Sequence, residues 1–206
     1  MGRAQTSGVR VVGIPKGDGL GDGNLSKNAV YEATEMDPAA TTVLYAPTWA
    51  QFSSLIRMGA DLVARLTDAG YRMFVKLHDL SLDSAVVNSG GVDWLAPILA
   101  TGYSHILTSA DALPWLVADD VLMTDHRSIG VEHLVLDRPV IRIAIPELIS
   151  NADIGQEYVD LMGDAPTTGD SAAAVVAAVE RSMSGHGQLS NVRRALAAQL
   201  PTIGPH

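Results

Sequence analysis

The stretch DVLMTDHRSIGVEHLVLDRP, residues 120–139, changes its hydrophobic pattern within a few positions. It begins with the short apolar run VLM, which is typical of a buried strand. From Ser128 onward the apolar residues recur instead at helical spacing. Between the two patterns lie Asp125, His126 and Arg127. The stretch therefore predicts a strand that leads directly into a helix, with polar side chains gathered at the junction.

The same alternation of apolar runs and helical patterns continues over most of the chain. Strands are predicted at 41–47, 72–78, 105–109, 120–125 and 139–145. Helices are predicted at 26–35, 52–69, 93–100, 113–118, 128–136, 152–162, 169–183 and 187–199. Because alternating strands and helices form βαβ units, the sequence predicts an α/β fold: a Rossmann-like parallel sheet with helices on both faces.

No internal repeat divides the chain. We expect a glycine-rich lead-in with a short helix at residues 1–40, followed by one Rossmann-like domain at residues 41–206. The glycine-rich run KGDGLGDG, 16–23, lacks the Gly-Lys-Ser/Thr ending of a P-loop and the ligand spacing of an EF-hand. We therefore interpret it as a flexible surface loop.

Composition excludes several classes of function. A net charge of −9 argues against a broad nucleic-acid-binding face, although it allows a small anion pocket. The absence of cysteine excludes disulfides, a thiolate nucleophile and a zinc–thiolate site. The N-terminus MGRAQTSGVR has no apolar core of the kind that signal peptides carry, so we expect a cytoplasmic protein.

Polar residues follow four of the predicted strands. They are Pro47 and Thr48, His78 and Asp79, Ser109 and Asp111, and the run from Thr124 to Ser128. In a parallel sheet the carboxyl ends of the strands meet at one edge, and ligands bind beyond that edge. The candidate functional residues are therefore expected along a single rim of the sheet. Trp49 and Trp94 are interpreted as packing residues.

The junction before the helix at Ser128 is a candidate anion site. A helix that begins there would direct its unpaired N–H groups, and the positive end of its dipole, toward the rim. Ser128 could donate to a phosphate oxygen and Arg127 could pair with one bidentately. The alternative is a capped helix whose charges are simply solvated.

Three more residues belong to the candidate site. His78 ends the second strand and is a candidate phosphate donor or general acid, with a structural histidine as the alternative. Lys76 lies on the same side of that strand. Glu132, in the first turns of the helix, could accept hydrogen bonds from ribose hydroxyls or could simply compensate the helix dipole. The histidines show no metal-ligand spacing, so neither a metal nor a cofactor is expected.

Four motifs occur in one order along the chain: GIPKGD at 13–18, YAPTW at 45–49, KLHD at 76–79 and TDHRSIGVEHLVLDRPV at 124–140. This ordered set resembles the nucleotide-binding half of the CDP-glycerol glycerophosphotransferases, enzymes of teichoic acid synthesis. The resemblance covers residues 13–200. It implies one half of a GT-B architecture, in which two Rossmann-type domains face each other across the active site.

The resemblance also implies an activity: transfer of glycerol phosphate from the donor CDP-glycerol to a polyol-phosphate acceptor at the inner face of the cell membrane, with release of CMP. Catalysis would involve His78, which matches the family's histidine at the phosphates. Substrate binding would involve residues at the ends of three strands and in the helix that follows one of them. These are Pro47, Thr48, Lys76, Thr124, Asp125, His126, Arg127, Ser128 and Glu132, the last of them near the ribose.

Two departures from the family pattern leave alternatives open. Arg127 stands where the family has a serine, and Asp79 stands where it has a proline. In addition, the family's N-terminal domain, which supplies the acceptor side, has no counterpart in residues 1–40. We expect a donor-binding domain that depends on that domain or on a partner subunit. The alternatives are another GT-B enzyme, either a glycosyltransferase or a UDP-sugar epimerase, and a degenerate module that binds a protein partner without catalysis.

Overall fold

The computed structural model describes residues 26–34, 37, 39–50, 52–78, 93, 95–102, 106–109, 111–126, 128–151, 167–185 and 189–198. Several subjects of the sequence analysis lie outside these residues: the motif GIPKGD at 13–18, the glycine-rich run 16–23, the predicted helix 152–162, Asp79, Trp94 and Arg127.

Six parallel strands form one sheet in the order β3-β2-β1-β4-β5-β6. The strands are β1 (Thr42–Ala46), β2 (Arg72–Lys76), β3 (Ile106–Leu107), β4 (Val121–Thr124), β5 (Val140–Ile143) and β6 (Thr167–Gly169). Successive strands are added on one side of β1 up to β3 and then on the other side from β4 onward. This is the Rossmann strand order, and its topological switch point lies between β1 and β4.

Helices connect the strands. They are α1 (Lys27–Ala33), α2 (Ala60–Asp68), α3 (Ala96–Leu99), α4 (Leu113–Ala118), α5 (Ser128–His133), α6 (Pro146–Asn151), α7 (Ala172–Ser184) and α8 (Ser190–Ala197). A π-helical turn, Leu55–Gly59, leads into α2, and a 3₁₀ turn, Leu134–Leu136, follows α5. Within the described ranges no helix is both long enough and apolar enough to cross a bilayer.

The strands are buried on both faces, which explains their nearly continuous apolar sequence. Along β1, Val43 and Tyr45 pack into one core with α2 and α7. Leu44 and Ala46 point the other way, into a second core with α1, α4, α5 and α8. The predicted α/β fold with helices on both faces is therefore confirmed.

The sixth strand was not predicted, because TTG is too short and too polar to form an apolar run. It forms because the edge of β5 that faces away from β4 is free to pair with it, and this pairing places Gly169 beside Ile143. Glycine fits there since a Cβ at position 169 would lie 2.8 Å from the backbone nitrogen of Val175 on α7. The helix predicted to start at 169 begins instead at Ala172, after Ser171, whose hydroxyl accepts a hydrogen bond from the backbone of the first turn. The helix α6 was also missing from the sequence prediction.

A buried polar cluster lies at the amino edge of the sheet. His133 Nε2 and Asp119 Oδ1 are 2.9 Å apart, and both side chains are fully buried. Arg138 supports the cluster by donating to the carbonyl oxygens of Val117 at 2.8 Å and Asp119 at 2.5 Å. Because Asp119 precedes β4, this cluster is at the edge opposite the predicted ligand rim, and we assign it a structural role.

Asp137 anchors the C-terminal helix α8. It adopts the left-handed backbone conformation, with φ at 51°, and ends the 3₁₀ turn. Its carboxylate accepts hydrogen bonds from Ser190 Oγ and from Arg193 Nε, the latter at 3.1 Å. Arg193 is buried, whereas Arg194, which also faces Asp137 at 3.5 Å, is exposed. The LDRP segment thus has a structural use in this chain.

Replacement of Arg193 by methionine should destabilise the protein. The change removes a buried charge-assisted hydrogen bond and leaves Asp137 with Ser190 and the exposed Arg194, which should lower the free energy of unfolding by roughly 2–3 kcal/mol. Arg194→Met is the matched control, because an exposed ion pair contributes less than about 1 kcal/mol. Urea unfolding measures both variants, and equal losses would contradict the anchoring role of Arg193.

Candidate functional site

The switch point brings together the ends of the strands that carry the predicted site residues. Pro47 and Thr48 follow β1, Asp125 and His126 follow β4, and His78 follows β2 on the other side of β1. Since neighbouring strands lie about 4.8 Å apart, the β2 and β4 ends are separated by roughly 10 Å with the β1 loop between them. The predicted rim is therefore one continuous edge.

Asp125 holds this edge together. Its side chain is fully buried, and Oδ2 accepts hydrogen bonds from the backbone nitrogens of Thr48, at 3.1 Å, and Ser54, at 3.2 Å. These contacts tie the end of β4 to both ends of the segment that follows β1. Because an ionised carboxylate accepts hydrogen bonds but repels phosphate, the geometry suits Asp125 to positioning the loop rather than to direct phosphate contact.

Two residues that sequence reasoning missed extend this contact into the core. The hydroxyl of Tyr45 lies 2.8 Å from Ser54 Oγ. Burial, and then the nearby charge of Asp125, raise the pKa of Tyr45 well above its ordinary value, so the phenol stays protonated. Leu55–Gly59, the π-helical turn, begins directly after Ser54. Tyr45 belongs to the motif YAPTW, but nothing in the sequence indicates its contact with Ser54, because that contact arises only in the folded chain.

Thr124 joins β4 to β1 at the last pair of the ladder. Its side chain is fully buried, and Oγ1 donates to the carbonyl oxygen of Ala46 at 2.8 Å. Position 124 thus stabilises the switch point from within the sheet.

A row of residues on one face crosses the end of the sheet and carries a cation at each side. Ala46 pairs with Thr124, and Thr124 pairs with Arg142. Tyr45 on β1 pairs with Val75 on β2, so the next residues along the two strands, Ala46 and Lys76, lie in the same row. Lys76 and Arg142 are therefore three strand spacings apart, roughly 14 Å. Arg142 was not predicted, although a charge inside the apolar run PVIRIAI was a visible signal.

His78 lies beside an exposed aromatic ring. The centroids of the His78 and Trp49 rings are 6.1 Å apart, and the ring planes are inclined at 36°. Trp49, which was interpreted as a packing residue, is 39% exposed, so it is not part of the buried core. It lies three residues beyond the end of β1, at the rim of the sheet.

His126 presents an uncharged imidazole to this edge. Both ring nitrogens are buried and have no hydrogen-bond partner among the residues that the structure describes. Burial, and then the positive charge of Arg142, lower the pKa of His126 below its ordinary value of 6.5. At neutral pH the ring can therefore both donate and accept a hydrogen bond.

The helix predicted to bind an anion begins where expected, at Ser128, whose side chain is exposed. Glu132 is half-buried on the same helix. With six residues, α5 is shorter than two turns, so little dipole accumulates along it and side chains must supply most of the charge for an anion. Among the described residues, no group of three or more His, Cys, Asp or Glu is placed to hold a metal ion.

Replacement of Asp125 by alanine should destabilise the fold by roughly 3 kcal/mol, because two backbone N–H groups lose a charged, buried acceptor. Asp125→Asn keeps an oxygen in place and should lose about half as much. The matched control is Asp111→Ala: its exposed carboxylate accepts from the nitrogen of Leu113, and its loss should cost about 1 kcal/mol or less. Equal losses in Asp125→Ala and Asp111→Ala, measured by urea unfolding, would contradict the anchoring role.

The lowered pKa of His126 predicts a pH dependence of stability. Between the folded pKa and 6.5 the unfolded chain binds more protons at this position, so the contribution of His126 to stability is greatest above pH 6.5 and falls as the pH is lowered. His126→Gln should remove this part of the loss. NMR titration of the ring protons measures the pKa directly; Arg142→Met should raise it only in part, since burial remains. A wild-type pKa above 6.5 would contradict the geometry.

The sequence was compared with family models and with curated proteins. Residues 4–184 match the family model described as CDP-Glycerol:Poly(glycerophosphate) glycerophosphotransferase. A search of curated proteins finds no match.

Solved structures share the fold at low sequence identity. A point variant of the wall teichoic acid polymerase TagF aligns with a TM-score of 0.67 at 15% identity, over 95% of this chain and 48% of TagF. A glycosyltransferase from Rickettsia africae ESF-5 aligns with a TM-score of 0.59 at 11% identity, over 87% of this chain and 49% of its own. Sucrose-phosphate synthase from Thermosynechococcus elongatus aligns with a TM-score of 0.55 at 12% identity, over 86% and 45%.

This chain spans about half the length of these structures and corresponds to one half of a GT-B architecture. The family match extends from the residues before α1 to the end of α7 and includes the whole switch point. The chain belongs to the CDP-glycerol:poly(glycerophosphate) glycerophosphotransferase family.

Proposed function

We propose that this chain is the donor-binding domain of an enzyme that transfers glycerol phosphate from CDP-glycerol to a polyol-phosphate acceptor such as teichoic acid. One observation carries the proposal. The motifs KLHD, YAPTW and TDHRS lie at the ends of β2, β1 and β4, respectively, which are adjacent strands at the switch point of the sheet. Ligands of open α/β sheets bind in the crevice at that point. Membership of the family supplies the chemistry.

The transfer needs positive charge where CMP departs. As the bond between the two phosphates breaks, negative charge grows on the CMP phosphate, and fixed cations or hydrogen-bond donors stabilise it. In the proposal His78 is the catalytic residue that stabilises or protonates this phosphate. Lys76, which is buried except for 6% of its surface, and Arg142 add positive potential from the row behind the rim.

The other rim residues would bind the donor. Ser128, exposed at the start of α5, and Arg127, by its position in the motif, would contact phosphate oxygens. Glu132 would accept hydrogen bonds from the ribose. Thr48 and His126 would contact the donor between β1 and β4, while Pro47, Thr124 and Asp125 would shape and hold the edge.

The acceptor side would come from a second domain or a partner subunit. GT-B enzymes place their active site between two Rossmann-type domains, and the Rickettsia glycosyltransferase and TagF structures compared above are about twice as long as this chain. Three large apolar side chains at the same edge, Trp49, Phe52 and Ile56, are 38–44% exposed, which suits a surface that another domain faces. A growing polyol-phosphate chain would bring this assembly to the inner face of the membrane.

A second candidate is a glycosyltransferase or epimerase that uses a UDP-sugar. The fold similarity to the Rickettsia glycosyltransferase and to sucrose-phosphate synthase favours it. A third, suggested by Arg127 and Asp79, is a non-catalytic module that binds a protein partner. Ligand preference separates the three candidates. The first predicts binding of cytidine nucleotides, the second predicts binding of uridine nucleotides, and the third predicts that neither binds.

Calorimetric titration of the chain with CDP-glycerol, CDP, CMP, UDP and UDP-glucose tests the proposal. We expect CDP-glycerol and CDP to bind more tightly than their uridine counterparts. His78→Ala and Ser128→Ala should each weaken CDP-glycerol binding roughly tenfold, since each removes a hydrogen bond to a charged phosphate.

The control for Ser128→Ala is Ser184→Ala. Ser184 is the last residue of α7, and its exposed hydroxyl donates to the carbonyl oxygen of Glu180. It should leave binding unchanged. Preference for uridine ligands would favour the second candidate, and a folded chain that binds no nucleotide would exclude a donor-binding role.

A further inference from the structure

Buried polar atoms with no hydrogen-bond partner among the described residues gather at the switch point. They are Ser53 Oγ, Thr48 Oγ1 and both ring nitrogens of His126. Ser53 is fully buried, and neither the motifs nor the family resemblance singled it out. Buried polar groups are nearly always hydrogen-bonded, because a buried group without a partner has lost the hydrogen bonds that it made to water. These atoms therefore call for a ligand or solvent partner.

The carboxylate of Asp125 brings the chain positions of the three residues near one another. Thr48 N donates to the same carboxylate oxygen as the nitrogen of Ser54, which is the neighbour of Ser53. His126 follows Asp125 directly. Oδ2 of Asp125 therefore contacts both ends of the segment from Thr48 to Ser54, and the three residues with unpaired groups lie at these contacts or next to them in the chain. We name Thr48, Ser53 and His126 the switch-point triad.

The chemistry of the triad favours a neutral ligand. The two hydroxyls and the uncharged imidazole can each donate and accept a hydrogen bond. Their acceptor atoms can be satisfied only by a ligand that is itself a hydrogen-bond donor. A phosphate at neutral pH supplies almost only acceptors, and the negative charge of Asp125 disfavours an anion beside it. Hydroxyl groups satisfy both requirements, because each donates one hydrogen bond and accepts others.

We propose that the switch-point triad binds a vicinal diol of the donor, with Ser53 as a residue that determines specificity for it. This inference rests on the proposed function and refines it: the diphosphate binds toward His78, and a hydroxyl-bearing part of the donor binds between β1 and β4. In CDP-glycerol a vicinal diol is present both in the ribose and in the glycerol group, and the two sources are separable by truncated ligands.

The experiment is calorimetric titration of four variants with three ligands. The variants are Ser53→Ala, Thr48→Val, Thr48→Ser and the control Ser184→Ala; the ligands are CDP-glycerol, CDP and 2′,3′-dideoxycytidine diphosphate. Ser53→Ala and Thr48→Val should each weaken CDP-glycerol binding roughly three- to tenfold, the effect of one neutral hydrogen bond. Thr48→Ser restores a hydroxyl and should recover most of the affinity, while circular dichroism and thermal melts confirm that each variant is folded.

The ligand series identifies the diol. If the ribose binds the triad, Ser53→Ala weakens CDP-glycerol and CDP equally and leaves the dideoxy ligand unchanged. If the glycerol binds, only CDP-glycerol is weakened. Unchanged affinity for all three ligands would overturn the inference, as would an equal loss for all three, because the triad would then act on the phosphates, the base or the fold.

Failure of the proposed function gives a different result. If the wild-type chain binds no cytidine ligand, the glycerophosphotransferase proposal fails, and UDP-glucose, UDP and 2′,3′-dideoxyuridine diphosphate are titrated against the same variants. A loss in Ser53→Ala that depends on the ligand hydroxyls would then still support the triad. A chain that binds neither series has no nucleotide diol to hold, which overturns both proposals.

Discussion

The buried carboxylate of Asp125 is the contact on which the candidate site depends. β1 and β4 pair along their whole length through backbone hydrogen bonds, but the loops beyond them have no ladder to hold them. One carboxylate oxygen receives the nitrogens of Thr48 and Ser54 and so fastens the β1 loop to β4. The charge is tolerable inside the protein because these hydrogen bonds replace those it would make with water. The position of the β1 loop at the switch point is thus set by this oxygen.

The same carboxylate divides the rim electrostatically. Positive side chains lie on either side of the switch point, with Lys76 in β2 and Arg142 in β5, while the centre holds Asp125 and the neutral ring of His126. An anionic ligand is favoured near the cations and disfavoured at the centre, whereas an uncharged polar group experiences the opposite balance. The donor CDP-glycerol has both kinds of group, so one edge could orient it along the rim.

The sequence predicted the parts of the fold that depend on local patterns. Five strands, most helices and the common rim followed from hydrophobic spacing, and the helix start at Ser128 followed from the change of pattern before it. The parts that the sequence did not predict depend on contacts between residues that are distant in the chain. β6 exists because β5 offers it an edge, and Ser53 and Ser54 gain their importance from Asp125, 71 residues beyond Ser54. Nothing in the nearby sequence distinguishes such residues from ordinary loop serines. Whether His78 and Glu132 act as the family resemblance implies depends on ligand contacts that neither spacing nor fold supplies.

The segment after β1 has two sides with different surroundings, and this links the two proposals. Ser53 and Thr48 carry their unpaired hydroxyls inward, while Trp49, Phe52 and Ile56 are exposed on the same short stretch. If a donor diol binds beneath the segment, the hydrogen bonds that it forms will restrict the loop that also presents the apolar surface to a second domain. A domain that docks on an ordered loop loses less conformational entropy than one that must order the loop itself. Donor binding should therefore strengthen domain association, and by linkage the second domain should tighten donor binding by the same factor.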